Sequence, residues 1–110
     1  MEVKRGSVVI VAHGEFGRPR PAVVVQADEL GGATTTVLVC PITSDVTERL
    51  PVRPTVEPST DNGLRLSSQV MTDKMLALPR DHVRRTIGIL DSEASQRLDS
   101  ALLTVLGLAR

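Results

Sequence analysis

Residues 18–26, RPRPAVVVQ, carry two arginines and two prolines directly into an apolar run, and residues 37–44, VLVCPITS, form a second such run. Valine-rich runs of this length are typical of buried strands, and the residues at their mouths are held on a rigid edge. If the two runs pair as neighbouring strands, Arg20 and Thr43 lie at adjacent strand ends. This arrangement places a permanent cation beside a hydroxyl, and such a pair suits a phosphate.

The remaining sequence predicts further short strands joined by glycine and proline turns. Residues 7–12 form an apolar run after Gly6, which is the pattern of a strand buried on both faces, and residues 61–63, DNG, are a turn signal. The predicted strands cover residues 7–12, 22–26, 34–42 and 84–90, with an edge strand around 52–56 and either one bent strand or two short ones over 66–78.

The last part of the chain predicts one helix. Asp91 or Ser92 is the candidate N-cap, and Glu93 suits the positive end of the helix dipole. The apolar residues that share one helical face before Gly107 are Ala94, Leu98, Ala101, Leu102 and Val105. We therefore expect a single domain over residues 1–110, a small mostly β barrel with a C-terminal helix docked on its sheet.

Composition limits the classes of function. Lys plus Arg and Asp plus Glu balance at 13 each, so no overall basic field predicts nucleic-acid binding and any phosphate site depends on local clustering. Phe16 is the only aromatic residue, so we expect a core of smaller aliphatic side chains and a dimer that adds stability. Cys40 is the only cysteine, and its apolar surroundings predict a buried, inert thiol. Without a leader-like segment or an apolar run of about 18 residues, we expect no membrane span and a cytoplasmic location.

Four motifs occur in the order and spacing of a known toxin family. They are residues 4–6 (KRG) before the first strand, 20–21 (RP) before the second, 41–44 (PITS) ending the third and 87–91 (IGILD) before the helix. In these motifs, and over nearly its whole length, the chain resembles the MazF/PemK toxins of toxin–antitoxin modules. The resemblance implies an SH3-like barrel of the CcdB/PemK kind, a homodimer, and an endoribonuclease that cuts single-stranded RNA without a metal or other cofactor. It also implies a cognate antitoxin with a largely disordered segment that wraps the dimer.

Arg20 and Thr43 are the candidate catalytic residues. A guanidinium stays charged and its planar fork holds two phosphoryl oxygens, although a solvated surface position explains an arginine before a strand equally well. The Thr43 hydroxyl suits a non-bridging oxygen or the attacking 2′-hydroxyl, whereas strand-ending threonines often bond their own backbone. Both residues match the family's Arg-Pro and Ile-Thr motifs, and the resemblance favours the catalytic interpretation. Attack by the 2′-hydroxyl needs proton transfer and charge stabilisation and no metal.

The loop over residues 13–18 supplies further candidates. Glu15 is a candidate substrate contact that would accept a proton or orient the nearby arginine, and Arg18 is a candidate contact to the RNA backbone. His13, where the first strand meets this loop, is the other candidate general base or acid, although a half-exposed strand-end histidine is the commoner case.

Two more candidate substrate contacts lie on or near the predicted strands. Ser44 either bonds a phosphate or caps its turn, and Gln69, where relatives usually have an apolar residue, either faces the substrate groove or lies on an edge. His82 is expected to be solvated, and no Cys/His spacing suits zinc. The remaining candidate backbone contacts, each equally typical of a soluble surface, are Arg65, Lys74, Arg84 and Arg85.

Two other functions compete with this interpretation. A CcdB-like toxin has a similar fold but binds and poisons DNA gyrase through its terminal helix without chemistry, and the pairing of Arg20 with Thr43 favours the enzyme over it. A peptide-binding SH3-like module needs several aromatic rings to grip polyproline, and this chain has one.

Overall fold

The computed structural model describes residues 3–12 and 18–109. The elements in these ranges are β1 (Ser7–Val11), β2 (Arg20–Val24), β3 (Thr36–Thr43), β4 (Thr55–Val56), β5 (Ser68–Val70), β6 (Leu76–Pro79), β7 (Val83–Ile89) and helix α1 (Ser92–Val105). The predicted strand over residues 66–78 is two strands, because a 3₁₀ turn at Thr72–Lys74 separates them. Strand β2 begins at Arg20, two residues earlier than predicted, so the candidate cation is part of the strand itself.

The described strands form one antiparallel sheet in the order β4-β5-β3-β2-β1-β7. Strand β3 organises the sheet, because one of its edges pairs with β2 while the other pairs first with β6 and then with β5. The sheet curls around this long strand into a half-barrel, and the predicted mostly β fold with a single C-terminal helix is confirmed. Strand β4, only two residues long, lies at the edge of the sheet as predicted.

The strands β1, β2 and β3 are covered on both faces, as their continuous apolar sequences predict. One face packs against α1 and includes Val8, Val23, Cys40, Ile42, Ala94, Leu98 and Leu102; we call it the helix-side core. The opposite face packs against β6 and β7 and consists of Val9, Val11, Ala22, Val24, Val37, Val39, Leu78 and Val83; we call it the strand-side core. Successive strand residues alternate between the two cores, so the face of any residue beyond them can be counted from its position.

Helix α1 begins at its predicted cap. The Asp91 carboxylate accepts a hydrogen bond of 2.8 Å from the backbone N–H of Ala94, which satisfies one of the free donors of the first turn. Ala94, Leu98 and Leu102 are buried, while Ala101 is half-buried toward the rim. No helix within residues 3–12 and 18–109 has the length and apolar character needed to cross a bilayer.

The predicted turn at residues 61–63 locks against β7. The buried Asn62 side chain donates to the Glu57 carbonyl and accepts from the backbone N–H groups of Ser59 and Leu64, at 2.9, 3.0 and 2.9 Å. Gly88 of β7 lies so close to this turn that a Cβ would collide with the backbone of Asn62. The turn is therefore a fixed wall beside the sheet.

Candidate functional site

Arg20 and Thr43 stand at neighbouring strand ends. The paired stretch of β2 and β3 ends at Ala22 and Pro41, and each strand extends two residues beyond it, β2 to Arg20 and β3 to Thr43. Strand alternation puts both on the same face, since each lies an even number of residues from a member of the strand-side core, Ala22 and Val39 respectively.

The Thr43 hydroxyl is oriented by its own loop. Its Oγ1 accepts a hydrogen bond of 3.0 Å from the backbone N–H of Asp45. The local bond expected of a strand-ending threonine is therefore present, but it uses the oxygen only as an acceptor. Among residues 3–12 and 18–109 the hydroxyl proton has no acceptor, so the local bond orients the donor and leaves it available to a ligand oxygen.

Arg20 carries an exposed guanidinium. Among residues 3–12 and 18–109, no carboxylate lies within ion-pair distance of it, whereas Arg5, Arg53 and Arg97 are each paired with an acidic side chain. An arginine at a strand end with no carboxylate partner among these residues suits an anionic ligand.

A groove of about 350 Å³ begins beside this pair. Its lining includes Pro21 and Ser44, the chain neighbours of Arg20 and Thr43. Because neighbours in a strand face opposite ways, the groove opens on the other side of the same strand ends. The remaining lining residues are Ile10, Gly63, Leu64, Arg65, Leu66, Ser68, Arg85 and Ile87.

The groove is cationic over an apolar floor. Arg65 and Arg85 line it, both are exposed, and its lining contains no acidic residue. Three larger grooves in the described part of the chain, of about 740, 570 and 400 Å³, each include a carboxylate. The largest of them runs between α1 and residues 51–55, away from Arg20 and Thr43. The largest groove is therefore not the best candidate for binding RNA. The smaller groove is favoured by its cationic lining and by its position beside Arg20 and Thr43.

Gln69 does not face the groove with a free amide. Its side chain is 4% exposed, its Nε2 donates to the Thr47 carbonyl at 2.8 Å, and its Oε1 accepts from the Thr47 N–H at 3.0 Å. The expectation of a direct substrate contact is thus at odds with its environment, because both ends of the amide are occupied by the protein. The sequence shows a polar residue inside a short strand, but it does not show that the hydrogen-bond partner of this residue is Thr47, 22 positions away.

The other predicted residues fall into three groups. Arg18 is exposed just before β2, on the approach to Arg20. Glu15 and His13 lie outside the described residues. His82 is half-buried, not solvated as predicted: its side chain is 34% exposed, and its carbonyl accepts from the Ala12 N–H at 2.9 Å.

Cys40 is part of the helix-side core, fully buried in β3. Burial raises the pKa of its thiol to about 12, so the thiolate needed for nucleophilic attack is not populated near neutral pH. Within residues 3–12 and 18–109, no three His, Cys, Asp or Glu side chains cluster in a way that could hold a metal ion.

Comparison with known proteins adds a family to this geometry. Residues 4–106 match the sequence model of the PemK-like, MazF-like toxins of type II toxin–antitoxin systems. The chain is 35% identical over 109 residues to a probable endoribonuclease MazF of Mycolicibacterium smegmatis (strain ATCC 700084 / mc(2)155), an alignment that covers 97% of this chain and 99% of the relative.

Solved structures share the fold. The Mycobacterium tuberculosis toxin MazF-mt6 superposes with a TM-score of 0.81 at 24% identity, covering 94% of this chain and 99% of that one. A chain of the MazE–MazF crystal structure from Deinococcus radiodurans superposes with a TM-score of 0.81 at 22% identity, covering 99% of both chains. These likenesses identify the half-barrel with its terminal helix as the fold of MazF toxins.

Proposed function

The chain belongs to the PemK-like, MazF-like toxins of type II toxin–antitoxin systems, and from this membership we propose that it is an endoribonuclease that cleaves single-stranded RNA without a metal. The proposal rests on the position of Arg20 and Thr43 at the ends of the adjacent strands β2 and β3, where no carboxylate of the described residues lies within ion-pair distance of the guanidinium and the Thr43 oxygen accepts a hydrogen bond from Asp45. The family membership favours this function over gyrase binding by a CcdB-like toxin.

The proposed reaction is transfer of the phosphate to the neighbouring ribose oxygen. A base removes the 2′-hydroxyl proton, the 2′-oxygen forms a bond to phosphorus, and the bond from phosphorus to the 5′-oxygen breaks. The products are a 2′,3′-cyclic phosphate and a 5′-hydroxyl, once the leaving oxygen has gained a proton. Arg20 binds the two non-bridging oxygens as their charge grows, and Thr43 donates a hydrogen bond to one of them.

The proton transfers fall to other groups. We assign them to His13 or Glu15, which the sequence puts in the loop between β1 and β2.

The RNA on one side of the scissile phosphate would follow the cationic groove. Ser44 would bond an adjacent phosphate, while Arg65 and Arg85 would hold the backbone and leave the bases over the apolar floor. A groove of this size suits a few unpaired nucleotides, and single strands are where RNA bases are accessible to proteins. Arg18, exposed before β2, would contact the backbone on the other side.

Partners follow from the same membership. We propose a homodimer in the cytoplasm, held inactive by an antitoxin segment that covers the Arg20 and Thr43 pair and the groove. An acidic segment would complement the arginines of this surface that have no carboxylate partner among the described residues. Endoribonuclease–antitoxin and MazE–MazF complexes are among the solved structures that share this fold.

Sequencing of RNA fragment ends tests the proposal. The purified protein is incubated with a structured RNA in excess EDTA, and the 5′ ends of the fragments are sequenced. We expect cuts at one short motif in unpaired regions, with 5′-hydroxyl ends. Inhibition of gyrase without RNA cleavage would instead establish the CcdB-like function, and cleavage that requires a divalent metal would contradict the mechanism.

A further inference from the structure

We infer that Gln69 is a positioning residue that sets the orientation of the Thr43 hydroxyl through the loop following β3. This inference rests on the proposed function, since it assigns Gln69 a part in RNA cleavage. It replaces the direct contact predicted from sequence with an indirect one.

The position of Gln69 links it to the site. In β5 it is the direct cross-strand partner of Thr43, and on its other side it pairs with Thr55 of β4. Its backbone is thus fixed from both sides, and its side chain lies on the same face as Thr43 because opposite residues of an antiparallel pair share a face.

The Gln69 amide makes hydrogen bonds to both backbone groups of Thr47. It donates to the Thr47 carbonyl and accepts from the Thr47 N–H, so one side chain satisfies both backbone groups of one residue, as a neighbouring strand would. The side chain is 4% exposed, so these bonds compete with little water. Loss of the amide would leave two backbone groups without their partner and free the loop at this point.

The loop transmits this restraint to the catalytic hydroxyl. Only three residues separate Thr43 from Thr47, and the middle one, Asp45, donates its N–H to the Thr43 oxygen at 3.0 Å. The segment over residues 43–47 is therefore held at one end by Thr43 and at the other by Gln69. If Thr47 is released, the Asp45 N–H can leave the Thr43 oxygen, and the hydroxyl is no longer confined to one rotamer.

The far end of the same loop has separate anchors. The Thr72 hydroxyl donates to the Val52 carbonyl at 2.6 Å, and Arg53 makes two hydrogen bonds of 2.8 and 2.9 Å to Asp73. Because these bonds do not involve residues 43–47, removal of the Gln69 amide should loosen the catalytic end and leave the loop attached. They also provide a control, since Thr72→Val loosens the far end alone.

Three variants test the inference by their kinetics on an RNA oligonucleotide that the wild type cleaves. Gln69→Leu removes the amide at similar volume, and we expect kcat to fall about 10- to 100-fold with KM nearly unchanged, because small displacements of reacting groups have costs of this order. Gln69→Glu should lose activity at high pH, where its carboxylate faces the Thr47 carbonyl, and recover as pH falls, since the protonated acid can donate to that carbonyl. Thr72→Val should keep kcat within about twofold.

The results separate the possible roles. A raised KM with unchanged kcat in Gln69→Leu would mean a direct substrate contact, and equal losses in Gln69→Leu and Thr72→Val would mean a general effect on the loop; either would overturn the inference. Failure of the wild type to cleave any RNA would overturn the proposed function alone. Amide hydrogen exchange then tests whether Gln69 restrains the loop. Faster exchange of the Asp45 and Thr47 amides in Gln69→Leu, but not in Thr72→Val, supports this restraint, and unchanged exchange refutes it.

Discussion

At the scale of single residues, the candidate site consists of a hydroxyl and a guanidinium that can still bind a ligand. The Thr43 oxygen accepts a hydrogen bond from Asp45, and among the described residues its proton has no acceptor and the Arg20 charge has no carboxylate partner. Cys40, by contrast, has a thiol whose pKa burial raises to about 12, and it contributes packing only. The proposed chemistry therefore uses two side chains that no carboxylate of the described residues neutralises.

Thr43→Val removes the hydroxyl at nearly constant volume. We expect kcat for RNA cleavage to fall about 100-fold, the usual effect of losing one preorganised donor to a developing anion. Thr43→Ser keeps the donor and the bond to Asp45 and should retain activity within about tenfold. Equal activity of the valine and serine variants would show that the hydroxyl plays no part in the reaction.

At the scale of elements, one contact holds the far end of the loop after β3 and another holds the wall of the cationic groove. The 3₁₀ turn at Thr72–Lys74 anchors the loop after β3 through Asp73, and the turn at residues 61–63 packs against β7 at Gly88. A single substitution can weaken each contact. One substitution should change how stability depends on pH, and the other should lower both stability and RNA cleavage.

The Arg53–Asp73 pair makes stability depend on pH. The hydrogen bonds from Arg53 hold the pKa of the Asp73 carboxyl below its usual value, so its contribution is fully present above the unfolded pKa and is lost as pH falls through the folded one. Their side chains are 10% and 28% exposed, and we expect Asp73→Asn to reduce the free energy of unfolding at pH 7 by about 1.5–3 kcal/mol. Urea titrations from pH 7 to pH 2 should show this difference shrinking in acid, and a difference independent of pH would contradict it.

Gly88→Ala should disrupt the groove wall. A Cβ at Gly88 meets the backbone of Asp61 and Asn62, so the turn must move, and we expect a loss of about 1–3 kcal/mol by thermal denaturation with weaker RNA cleavage. Gly32→Ala is the matched control, because a Cβ there meets nothing within 4 Å, and its stability should stay within about 0.5 kcal/mol of wild type. Similar stabilities of the two variants would mean that the turn can shift freely.

At the scale of the whole molecule, the sheet was predictable from the sequence because its strands depend on local patterns. Valine-rich runs predicted β1 to β3, and the candidate pair Arg20 and Thr43 lies at the ends of two of these strands. The role of Gln69 was not predictable, since its partner Thr47 lies in a loop without periodicity. The groove was not predictable either, because its wall depends on the close approach of the turn at residues 61–63 to Gly88 of β7, and this contact joins distant parts of the sequence.

At this scale, we propose that the half-barrel presents one cation and one hydroxyl at adjacent strand ends for RNA cleavage. Family membership gives the class of activity, and the strand positions give the residues proposed to perform it. In this proposal the groove, the loop held by Gln69 and the turn at residues 61–63 all support that single pair.

The most direct test of this claim is the rate of RNA cleavage in EDTA by Arg20→Ala and Arg20→Lys beside the wild type, with circular dichroism to check the fold. We expect all three proteins to fold alike, since Arg20 is exposed and unpaired among the described residues. Arg20→Ala should lose cleavage by about a thousandfold or more, and Arg20→Lys should recover little of it, because an ammonium lacks the planar fork that holds two oxygens. A folded Arg20→Ala protein that cleaves RNA at the wild-type rate would contradict the claim.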